Sequence, residues 1–111
     1  MKERLKRVNE SIRERVAKQL AEEVSDPELG LITVTAVEIT PDLRNADVWV
    51  SVMSENPARS MELIEEARPK VQQAVNKTLT MKFSPRLHFK LDRSAEKVER
   101  LNELLSNKKQ K

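Results

Sequence analysis

The sequence predicts one α+β domain of two layers, with helices covering one face of a small three-stranded sheet. Three observations carry that reading. Apolar residues recur at steps of three and four from Leu5 to Val24, and again from Met61 to Val75. Two runs rich in Val, Ile and Thr, residues 31–40 and 46–54, are joined by a short link with turn chemistry. A third run alternates Leu87, Phe89 and Leu91 with His88, Lys90 and Asp92. A chain of 111 residues is long enough for one core and not for two.

The elements follow in order. Leu5, Val8, Ile12, Val16, Leu20 and Val24 fall on one helical face, and Lys2, Arg4, Lys6, Arg7, Arg13, Arg15 and Lys18 occupy the others among several glutamates. Pro27 and Gly30, in the turn Ser25-Asp26-Pro27-Glu28-Leu29-Gly30, end that helix. Pro41-Asp42-Leu43-Arg44-Asn45 then closes an antiparallel hairpin, with Val48, Val50 and Val52 on one face of its second strand and Asp47, Trp49 and Ser51 on the other. Asn56-Pro57 opens the next helix, since Asn caps and Pro is tolerated in a first turn. Pro69 lies inside this apolar pattern, lacks an N–H and clashes with the preceding turn, so two helices meeting at Arg68-Pro69 are expected. After the third strand, Ser94 opens a last helix with Val98, Leu101, Leu104 and Leu105 facing inward. Residues 1–105 are thus one domain, and residues 106–111 a basic tail expected to be disordered.

The charge is unevenly placed. Net charge is only +3, but no Asp or Glu occurs from Ala67 through Leu91, where Arg68, Lys70, Lys77, Lys82, Arg86 and Lys90 all lie. About a quarter of average residues are charged and half of those acidic, so about three acids are expected in such a stretch. A strip kept positive suits a polyanion, because each phosphate neutralised releases condensed counterions. The plainer alternative is a solvated face with a chance bias. Arg68 and Lys70 flank the expected break, where a new helix N-terminus adds a positive dipole end suited to phosphate. Arg4 and Arg7 extend the same patch or are simply solvated.

Several function classes lack their residues. With no cysteine, disulfides and thiolate chemistry are excluded, and a reducing cytoplasm fits. The single glycine, Gly30, is too few for a phosphate-cradling loop or a dinucleotide fingerprint. His88, the sole histidine, has neither metal-ligand company nor a triad around it, so it reads as a surface strand residue; no metal or cofactor is expected. Trp49 offers a face for base stacking, but a lone Trp on a strand more often serves packing. No apolar run is long enough for a signal peptide or a membrane span. The expectation is a binder with no catalytic residues and no small-molecule substrate.

Two segments resemble a known family. DPELGLITVTAVEITPDLRNADVWVSV, Asp26 to Val52, is similar to the signature hairpin of ribosome-binding factor A, and SPRLHFKLDRS, Ser84 to Ser94, resembles its third strand. The resemblance covers nearly the whole chain apart from the lysine-rich tail. It implies a type II KH-like fold with a kinked helix pair, in a bacterial protein that binds the free small (30S) ribosomal subunit and its 16S rRNA. It further implies support for late maturation, rRNA processing and growth in the cold. The family resembles KH domains with an Ala-x-Gly kink between helices; here Ala67-Arg68-Pro69 stands in that place. Glu28 and Gln72 occupy positions where basic residues are common, and Arg86 one where Glu is frequent.

The combined expectation is a cytoplasmic, monomeric assembly factor that contacts RNA through Arg68, Lys70, Lys77, Lys82, Arg86 and Lys90, with Arg4 and Arg7 at the margin. Reversing the charge at Lys77 and Lys82 is expected to weaken binding and flatten its salt dependence, measured as affinity across a salt series. The rival expectation is a protein-interaction module whose acidic hairpin, Asp26 to Glu55, docks a basic partner.

Overall fold

A computed structural model describes residues 2–24, 30–79 and 84–93. Its elements are α1 (Lys2–Glu23), β1 (Leu31–Ile39), β2 (Asn45–Met53), α2 (Pro57–Thr78) and β3 (Arg86–Leu91). The strands lie in the order β1-β2-β3, with β1 antiparallel and β3 parallel to β2. The expected last helix, the basic tail, Lys82 and most of the turn after α1 lie outside the described residues.

Strand alternation places the core. Val34, Val37 and Ile39 of β1, Ala46, Val48 and Val50 of β2, and Leu87 and Phe89 of β3 are buried on one face. Cross-strand register joins them, with Val37 opposite Val48 and Val48 beside Phe89. A bulge between Val34 and Ala36 keeps the buried positions on that face as β1 twists. Ile12, Val16 and Leu20 from α1 and Ile64, Val71 and Val75 from α2 close over it. The α+β class, the three-stranded sheet and the helices on one face are as the sequence predicts.

The helix pair is not. α2 runs unbroken from Pro57 to Thr78 with Pro69 inside it. Ala67 and Pro69 are therefore mid-helix residues, and no second helix N-terminus exists at Arg68-Lys70 to attract phosphate. Tertiary burial overrides the local signal. Proline in a helix interior costs about 3 kcal/mol, whereas burying an aliphatic side chain gains roughly 1.5–3 kcal/mol. Ile64 precedes the proline, Val71 and Val75 follow it, and all three are fully buried. Pro69 itself is exposed, so the carbonyl of Glu65 that loses its helical donor can be hydrated.

Two details set the ends of these elements. Asn56 caps α2, its Oδ1 accepting the Arg59 N–H at 3.2 Å, and Pro57 opens the helix as expected. Gly30 has φ of +64°, and a Cβ there would sit 2.1 Å from the Met53 carbonyl oxygen. Left-handed backbone costs a non-glycine residue about 1–2 kcal/mol before any clash. Gly30→Ala should therefore lower the midpoint of thermal unfolding by roughly 5–15 °C, which a melting curve followed by circular dichroism checks directly.

Candidate nucleic-acid interface

The acid-free stretch does not fold into one strip; the elements divide it among three places. On β3, Arg86, His88 and Lys90 alternate with the buried Leu87 and Phe89, so they point away from the helices. On α2, Arg68 lies in the row Glu65, Arg68, Gln72, Asn76, which follows β3. Lys70 and Lys77 are seven residues apart and share a different, exposed row. Arg4 and Arg7 are exposed near the start of α1.

The first place is a groove of about 260 Å³ between α2 and the outer edge of β3, lined by Glu65, Arg68, Arg86, Leu87, His88 and Phe89. Arg86 N–H donates to the Arg44 carbonyl and Asp92 N–H to the Val50 carbonyl, so the even-numbered residues of β3 face β2. The odd-numbered ones turn their backbone groups outward to the groove. Gln72 meets the first of them: Leu87 N–H donates to its Oε1 at 2.8 Å, and its Nε2 donates to the Pro85 carbonyl at 3.0 Å. The same Nε2 lies 2.9 Å from Asn76 Oδ1. This amide clamp fixes β3 against α2 and thereby sets the distance between Arg68 and Arg86. Arg68 is half-buried and held 3.4 Å from Glu65. Arg86 is exposed and makes no ion pair among the described residues.

The second place is the exposed row of α2, where Lys70 and Lys77 stand in solvent. The third is the sheet face that the helices leave open. There Lys90 Nζ lies 3.2 Å from Asp47 Oδ2 and 5.5 Å from the Trp49 ring centroid, so its charge is partly engaged within the fold. Trp49 is half-exposed on that face, and His88 Nε2 sits 2.9 Å from Asn45 Oδ1.

Sequence reasoning missed Gln72 as a structural clamp and His88 as a groove residue. The period-two pattern of β3 already implied that His88 and Lys90 leave the core face. Nothing local implied that Arg68 and Arg86 meet, because residues 69–85 separate them.

Two of the described acids of the hairpin are engaged within the fold. Asp47 pairs with Lys90, and Asp42 Oδ1 accepts from the Thr40 hydroxyl and the Arg44 N–H. Those bonds, the hydroxyl's above all, hold the Asp42 carboxyl below the usual carboxylate range. Among the described residues no group of three or more His, Asp or Glu is placed to hold a metal ion, and no helix is long and apolar enough to cross a membrane.

A helix-covered sheet of this element order and strand pairing defines a KH-like domain of type II topology. The chain belongs to the ribosome-binding factor A family, whose model matches residues 4–105. It is 36% identical over 104 residues to ribosome-binding factor A of Geobacter sulfurreducens, covering 92% of this chain and 88% of that one. The crystal structure of ribosome-binding factor A from Thermus thermophilus shares the fold, with a TM-score of 0.73 at 22% identity, over 81% of this chain and 97% of that one. A homology model of the Thermus thermophilus factor, fitted into a cryo-EM map of its 30S complex, is 28% identical with a TM-score of 0.59. That match covers 75% of this chain and 93% of that one.

Proposed function

We propose that this chain is a cytoplasmic assembly factor that binds the free small ribosomal subunit, contacts its 16S rRNA, and supports late maturation and rRNA processing. Residues 1–105 form the RNA-binding unit, acting as a monomer. It works by holding immature RNA in one conformation, with no bond made or broken. The observation that carries this reading is the convergence of Arg68 and Arg86, from separate elements, on one groove in a chain of this family. Exposed Lys70 and Lys77 broaden the contact along α2. Lys82 lies close to Arg86 in sequence and is assigned to the same contact. Arg4 and Arg7 are marginal contacts and Lys90 the weakest, being paired with Asp47. Contact through phosphates and folded RNA shape, rather than base reading, suits a site built mainly of cations.

Expression of this chain in a bacterium deleted for its own ribosome-binding factor A tests the reading. Precursor 16S rRNA is expected to fall towards the normal level and cold growth to recover. An unchanged precursor level, with the folded chain present at normal abundance, would contradict a maturation role.

A further inference from the structure

The hairpin of β1 and β2 closes in a turn fixed by its own hydrogen bonds. Leu43 has a φ of +63°, in the left-handed region, which costs a non-glycine residue about 1–2 kcal/mol. Packing offsets that cost, because the Leu43 side chain lies against the core and its N–H donates to the Thr40 carbonyl at 2.8 Å. Thr40 N–H in turn donates to the Asn45 carbonyl at 2.8 Å, and Asn45 N–H donates to Thr40 Oγ1 at 3.1 Å. Asp42 Oδ1 accepts from the Thr40 hydroxyl and from the Arg44 N–H. With Leu43 turned inward, Arg44 stands exposed at the tip on a backbone that these bonds hold.

The Arg44 carbonyl accepts the Arg86 N–H at 2.8 Å, so the hairpin tip and the start of β3 meet backbone to backbone. Arg44 is the sole Lys or Arg from Gln19 to Ala58, and the fold sets it beside an arginine that lines the α2–β3 groove. Other cations of the chain have acids. Arg13 pairs with Glu10, Arg59 with Glu62, Arg68 with Glu65 and Lys90 with Asp47. Arg44 and Arg86, both exposed, have no ion pair among the described residues. The acids of the hairpin are committed elsewhere. Asp42 Oδ1 is taken by the turn, Asp47 holds Lys90, and Glu38 is on β1, with β2 between it and Arg86. Like charges on neighbouring strand positions disfavour each other, and an anion bound by both removes that cost. The guanidinium fork matches phosphate oxygens.

We infer that Arg44 is a phosphate-contacting residue, and that RNA held at the α2–β3 groove continues past Arg86 onto the hairpin tip. The inference rests on the proposed function and deepens it. The contact becomes a row of three arginines, Arg68, Arg86 and Arg44, carried by α2, β3 and the β1–β2 turn. A fixed turn suits this role, since a side chain on ordered backbone has less freedom to lose on binding. The strain at Leu43 belongs to the same arrangement, because the inward turn of Leu43 is what presents Arg44 outward.

Binding of the full chain to purified small ribosomal subunits, measured across a salt series, tests the inference. Arg44→Gln leaves the backbone bonds of the turn in place, and a melting curve matching the parent's checks that it folds. At about 0.1 M salt this variant is expected to bind roughly five- to eightfold more weakly, with the slope of log affinity against log salt lower by about 0.7–0.9. Arg44→Lys keeps the charge and loses the fork, so it should keep the slope. Arg93→Gln is the control, because Arg93 is exposed just beyond the other end of β3; its loss should change affinity less than about twofold. Affinity and slope equal to the parent's in Arg44→Gln, or an equal loss in Arg93→Gln, would overturn the inference and leave the proposed function standing. A parent chain that binds no small subunits would overturn the proposed function, and this inference with it.

Discussion

Reversing the charge at both Arg68 and Arg86 is expected to weaken binding to small ribosomal subunits on the order of 50-fold at about 0.1 M salt. The magnitude follows from counterion release. Each phosphate contact contributes a slope of about 0.7–0.9 in log affinity against log salt, hence a factor of roughly five to eight at that concentration. Both side chains line one groove, so both contacts are lost together, and the slope itself should fall by about 1.5. Lys90→Glu is the informative comparison. Lys90 shares the open side of β3 with Arg86 but lies four residues along the strand, outside the groove, and is already engaged with Asp47, so its reversal should change affinity less than about threefold. Equal losses from the groove pair and from Lys90 would mean that the sequence's single strip, not the groove, describes the contact.

The second large effect concerns stability. Pro69→Ala restores a missing hydrogen bond to an otherwise continuous helix and removes a penalty of about 3 kcal/mol. Loss of the proline's restraint on the unfolded chain returns about 0.4–1 kcal/mol of that. The net gain of about 2 kcal/mol should raise the unfolding midpoint by roughly 8–16 °C. Calorimetry on the two proteins measures it. An unchanged or lower midpoint would show that α2 accommodates the proline without penalty. Pro69→Gly, which restores the family's Ala-x-Gly pattern, should gain less than alanine, because glycine itself is about 1 kcal/mol poorer in a helix interior.

Much of the fold was legible because it rests on short-range periodicity. The α1 stripe from Leu5 to Val24, the alternation of Val48 and Val50 with Asp47 and Trp49, and the cap at Asn56 were all found where their spacing put them. The break expected at Pro69 was not, because a proline signal is local while its outcome depends on Ile64, Val71 and Val75 being buried on both sides of it. The site was legible in kind and not in layout. Absence of acids from Ala67 through Leu91 located the cations, but a linear run says nothing about which side of a sheet each one takes. Strand parity sent Arg86 and Lys90 alike to the open side, where Asp47 engages Lys90; helix angle turned Lys70 and Lys77 away from Arg68, and the Gln72 clamp on Pro85 and Leu87 holds β3 so that Arg86 borders the groove that Arg68 lines. That clamp is a long-range contact between an amide and a backbone, and glutamine on a helix carries no sequence signal for it.

On the proposed function, this chain recognises the free small subunit through phosphate contacts at the α2–β3 edge. Co-sedimentation of the purified chain with small subunits, large subunits and intact ribosomes, each across a salt series, tests it most directly. Binding to free small subunits alone, falling steeply with salt, and losing part of that slope in the Arg68→Glu, Arg86→Glu variant, is the predicted result. Binding to none of the three particles by the folded chain, or equal binding to all of them, would contradict it.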